Sequence, residues 1–79
     1  MKANAKTQIA KIEREIETLL ENQLHYAESE INWLATIVGD PNFEEQKIVV
    51  ESRIMIRERQ VKETVKYMYL TIEKLRKRA

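Results

Sequence analysis

The only glycine and the only proline of this chain stand two positions apart at its midpoint, in Gly39-Asp40-Pro41-Asn42. No other turn signal interrupts the 79 residues. A chain with one corner can build two long elements and little else. Gly39 can end a helix by taking positive φ at no steric cost. Asp40 is placed to cap the next helix, with Pro41 at its first position, where no backbone N–H is needed. Glu44 and Glu45 follow in the first turn, where the helix dipole favours negative charge. The expectation is a helix over about residues 4–38, a turn at 39–42 and a second helix over about 41–77, in one domain spanning 1–79. Each helix would be about 50–57 Å long at ~1.5 Å per residue.

The apolar spacing agrees with helices. One seam runs through Ile9, Ile12, Ile16, Leu20, Leu24, Ala27, Ile31, Leu34 and Val38. The other runs through Phe43, Lys47, Val50, Ile54, Arg57, Val61, Val65, Met68, Ile72 and Leu75. Steps of three and four alternate, as a single helix face requires. Each seam has one irregular stretch of consecutive fours, Ile12–Ile16–Leu20–Leu24 and Arg57–Val61–Val65. Folding the chain at residue 40 pairs residues whose numbers sum to 81, and the two irregular stretches then lie opposite each other. A stutter locally unwinds a coiled coil, so it is tolerated best when both partners share it. The predicted fold is therefore all-α, an antiparallel two-helix hairpin. The same register sets Glu15 near Lys66 and Glu28 near Arg53. Arg57 would face Leu24, either fixing register at some cost in stability or snorkelling to the surface.

Filling these seams leaves apolar residues over. Leu19, Tyr26, Trp33 and Ile37 flank the first, and Ile48, Val49, Met55 and Ile56 surround the second near the corner. A monomer rarely exposes such a patch. Two hairpins pairing as a homodimeric four-helix bundle would cover it, with Trp33, Ile37, Ile48, Val49, Met55 and Ile56 as the interface toward that copy or a partner protein. The first flank and the Ile48/Met55 stripe fall on opposite sides of the hairpin in this register. Either the seam rolls, or a second surface serves another partner. Trp33 and Tyr26 read as packing residues.

Charge is divided along the chain. Residues 1–14 and 66–79 carry Lys2, Lys6, Lys11, Arg14, Lys66, Lys74, Arg76, Lys77 and Arg78 against Glu13 and Glu73, a net of +7. Residues 15–65 carry −6, so the whole chain is +1. Cations at the end of the second helix suit its dipole, whereas those at the start of the first oppose it. Folding gathers both groups into one positive end that anionic partners, nucleic acid included, would sense.

Catalytic chemistry has no foothold in the sequence. There is no phosphate-binding glycine loop and no nucleophile with a credible base. Cysteine is absent and His25 is the single histidine, which excludes thiolate and His-rich metal sites. Glu21, His25 and Glu28 share a side of the first helix, but the order reverses the Glu-x-x-His of dimetal bundles. No run approaches the ~18 apolar residues of a membrane span. The expectation is a cytoplasmic, cofactor-free interaction protein, an adaptor, inhibitor or regulator. The alternative is a sequence-nonspecific nucleic-acid binder that uses the basic end.

Overall fold

The computed structural model describes residues 3–78. They form two helices, α1 (Ala3–Thr36) and α2 (Phe43–Arg78), folded back on each other as a hairpin.

The corner is built from short backbone bonds. Ile37 N–H donates to the Leu34 carbonyl at 3.2 Å and Asp40 N–H to the Ile37 carbonyl at 3.0 Å, tightening the end of α1. Gly39 then takes φ 94°, the left-handed region that its missing Cβ allows. Asp40 does not act as the cap next to the first helical residue. Its carboxylate accepts the N–H of Asn42 at 2.8 Å, and its carbonyl accepts the N–H of Phe43 at 3.0 Å. This Asx turn holds Pro41 outside the helix, and α2 opens with Gln46 N–H donating to the Asn42 carbonyl at 2.9 Å. Glu44 and Glu45 occupy the first turn of α2, and Arg76, Lys77 and Arg78 its last. Both sets complement the helix dipole.

Three contacts set the register. Arg53 pairs with Glu30 at 3.5 Å. The Arg57 guanidinium lies 4.3 Å from the centroid of the Tyr26 ring. Gln23 donates through Nε2 to the Ile54 carbonyl at 3.4 Å. Their index sums of 83, 83 and 77 scatter about the expected 81. The expected Glu28–Arg53 pair is replaced by Glu30–Arg53, and Glu15 and Lys66 form no ion pair among the described residues.

The rotation of α1 differs from expectation. Leu20, Leu24, Ile31 and Val38, placed in the seam by spacing, are 51%, 59%, 55% and 69% exposed. Leu19, Gln23, Tyr26, Glu30 and Ile37 take the covered positions beside Ile12, Ile16, Ala27 and Leu34. The helix is turned by about one residue. In that rotation polar seam residues find partners: Tyr26 meets Arg57, Glu30 meets Arg53 and Gln23 meets a carbonyl. In the other rotation Arg57 would have faced an aliphatic side chain. On α2, Gln46 is covered instead of Lys47, and Arg57 is exposed.

Little of the hairpin is enclosed. Among the described residues only Ile16, Val50 and Ile72 are buried. The Cα envelope measures 61 × 16 × 10 Å, and the radius of gyration is 18.2 Å. A compact chain of this length would have a radius of about 12 Å.

Candidate interaction surfaces

The rotation of α1 creates an outward stripe. Leu20, Leu24, Ala27, Ile31, Leu34 and Val38 follow one another at steps of four, three, four, three and four. Within α1 this heptad seam runs unbroken from Leu20 to Leu34, with Val38 just past the helix end, and the hairpin partly covers Ala27 and Leu34 while leaving Leu20, Leu24 and Ile31 more than half exposed. Leu20, Leu24 and Ala27 meet Ile54, Glu58, Val61 and Lys62 of α2 along an open groove of about 380 Å³. Met55, Glu58, Arg59 and Lys62 line a depression on the same side of α2. Ile48 lies one heptad before Met55 and is 65% exposed. The first face of the hairpin thus combines the α1 stripe with Met55 and Ile48.

The opposite face has a different character. Trp33 lies with Ser29, Glu30 and Arg53 around a shallow depression of about 300 Å³. Val49, four residues before Arg53, shares this side, with Ile56 one heptad on. Toward the free ends, Lys11, Arg14, Glu15, Thr18, Leu19, Thr64 and Met68 line a groove of about 700 Å³. It joins two cations to an apolar floor.

The six residues expected to form one interface are therefore divided. Ile48 and Met55 stand on the first face. Trp33, Val49 and Ile56 belong to the second, and Ile37 is half-buried within the hairpin. The spacing of Leu20, Leu24, Ile31 and Val38 was legible as a seam. What the sequence did not reveal was that this seam points outward.

At the free end, Lys6, Lys11, Arg14, Lys66, Lys74, Arg76, Lys77 and Arg78 are all exposed, and among the described residues none forms a salt bridge. Lys2 lies outside the described residues. Tyr67 and Tyr69, 66% and 55% exposed, stand two positions apart on a helix and so point to different sides. They make no shared stacking platform. Glu21, His25 and Glu28 join no group of three or more His, Asp or Glu able to hold a metal ion among the described residues. No helix among them is long and apolar enough to cross a membrane. No family model, curated protein or solved structure matches the chain.

Proposed function

We propose that this chain is a non-enzymatic interaction protein of the cytoplasm, a helical hairpin that pairs with a second copy as a four-helix bundle and binds a protein partner as an adaptor, inhibitor or regulator. The observation that carries this reading is surface area. The chain exposes 6614 Å². A compact monomer of its mass exposes about 5000 Å². The excess, on the order of 1600 Å² on one chain, is about twice the ~800 Å² that each partner buries in a standard interface and falls in the range of obligate dimers. Much of it is aliphatic: Leu20, Leu24, Ile31, Val38, Ile48 and Met55 are each at least half exposed. Monomers seldom carry such a continuous patch, whereas obligate dimers cover one.

Two faces allow two partners. The first face suits a copy of the chain, and the second, centred on Trp33 and Arg53, combines residue types enriched where proteins bind. The test is affinity capture from the source cell with wild-type protein, Trp33→Ala and Leu24→Glu as baits. A protein retained by wild type and lost by Trp33→Ala supports the partner reading. Equal capture by all three baits, or none by any, contradicts it.

The second reading is nucleic-acid binding through the basic end, favoured by eight cations that are exposed and, among the described residues, paired with no carboxylate. Electrophoretic mobility shifts at two salt concentrations test it. Binding that collapses as salt rises supports backbone-phosphate contact, and no binding at low salt removes it.

A further inference from the structure

We infer that the outward stripe of α1 seats the same stripe of a second copy, the two α1 helices packing antiparallel about a two-fold axis level with Ser29. This rests on the dimer reading and adds the face, the direction and the register.

The spacing of the stripe selects the register. An antiparallel pair with its axis at the level of residue 29 matches residues whose numbers sum to 58. Leu20 then meets Val38, Leu24 meets Leu34 and Ala27 meets Ile31, each pair occurring twice. All six members find a partner within the stripe. Shifting the axis half a heptad toward the free end sets Leu34 and Val38 against Glu17 and Glu13. Shifting it as far toward the corner carries Leu20 and Leu24 past the end of the other α1.

The stripe ends where this overlap ends. The corner at Asp40 lies level with residue 18 of the other copy, and the heptad continues toward the free end with Glu17, Glu13, Ala10 and Lys6. Residues 3–17 of each α1 project beyond the other copy's corner, ~22 Å at ~1.5 Å per residue. The two +7 ends therefore stand at opposite ends of the dimer, whereas a parallel pair sets them side by side.

The first face of α2 fits the same axis. The two side-chain pairs nearest it, Glu30–Arg53 and Tyr26–Arg57, both sum to 83, which sets residue 29 level with residue 54. Glu44, four residues before Ile48, is then level with residue 64 of the other copy, between Lys62 and Lys66 on that face. Met55 comes beside its own counterpart at the axis. Glu51 and Glu58 approach each other across it, and each has a lysine one turn away on its own helix, Lys47 and Lys62. Glu28 also nears its counterpart, on an open flank where water screens the repulsion.

The chain has no cysteine, so engineered thiols report contacts cleanly. The double variant Leu24→Cys with Leu34→Cys is expected to oxidise to a covalent dimer at least ~10-fold faster than Leu24→Cys alone or Trp33→Cys on the opposite face, because a disulfide forms only between closely apposed Cβ atoms. About 15 Å of helix separates the two thiols within one chain, and the same distance separates Leu24 from its own counterpart. Leu20→Cys with Val38→Cys reports the same register, should the first pair weaken the dimer. The mass of each variant and of wild type under reducing conditions, measured by sedimentation, separates the layers of the inference. A reduced dimer in which Trp33→Cys links fastest overturns the face and leaves the dimer reading standing. Linkage of Leu24→Cys alone as fast as the double variant overturns the antiparallel direction, since a parallel pair sets Leu24 on its counterpart. Faster linkage of Leu20→Cys with Ile31→Cys puts the axis half a heptad away and overturns the register. A reduced monomer for wild type overturns both the inference and the reading on which it rests.

Discussion

In one rotation of α1, Arg57 has Leu24 as its neighbour; in the other it has the ring of Tyr26. The hairpin adopts the second, with the guanidinium 4.3 Å from the ring centroid. A cation over an exposed aromatic face contributes about 0.5–1 kcal/mol. The Glu30–Arg53 pair adds less than ~1 kcal/mol, since Arg53 is half exposed. These polar contacts accompany a rotation that covers Gln23, Tyr26 and Glu30 and leaves Leu20, Leu24 and Ile31 more than half exposed. A double-mutant cycle on Tyr26→Leu and Arg57→Gln is expected to give a coupling of about 0.5–1 kcal/mol by urea unfolding. Coupling indistinguishable from zero would mean that the pair does not hold the rotation. At the corner, a Cβ on Gly39 would meet nothing within 4 Å, so only the positive φ resists substitution. Gly39→Ala should therefore lower stability by about 1 kcal/mol, and Gly39→Asn by less, in thermal unfolding.

At the scale of the helices, the corner and the lengths were legible because one Gly and one Pro leave few alternatives. The pairing level was legible too, since fold-back at a fixed corner leaves little freedom to slide. The roll of α1 was not. Leu20, Leu24, Ile31 and Val38 make as regular a seam as the residues actually covered. Hydrophobic periodicity ranks stripes by apolar content and is blind to the polar partners that Gln23, Tyr26 and Glu30 find on α2. That regular but uncovered seam is the sequence signal of the outward surface, and the polar partners on α2 are what turn it outward. Cysteines replacing Glu30 and Arg53 should close within one chain on oxidation, while Glu30→Cys with Gln60→Cys, a heptad out of register, should not. Equal closure of both pairs would mean that the helices slide.

For the whole molecule, the dominant fact is an envelope 61 Å long with three buried residues among the described ones. The helices arrange charge along that length, positive at the free end and negative toward the corner. The positive end contributes little to the fold, since its cations are exposed and unpaired by carboxylates among the described residues. Changing Lys74, Arg76, Lys77 and Arg78 together to Gln should leave helicity by circular dichroism nearly unchanged, as surface changes cost about 0.5 kcal/mol or less each. Loss of the fold would make that end structural. The aliphatic surface is another matter, because two helices alone leave it in water. Sedimentation of the wild-type protein over a wide concentration range tests this most directly. The expected result is a species of twice the 9.4 kDa chain mass whose dissociation on dilution is accompanied by loss of helix, as coupled folding and association requires. A stable, fully helical species of 9.4 kDa at every concentration would contradict it.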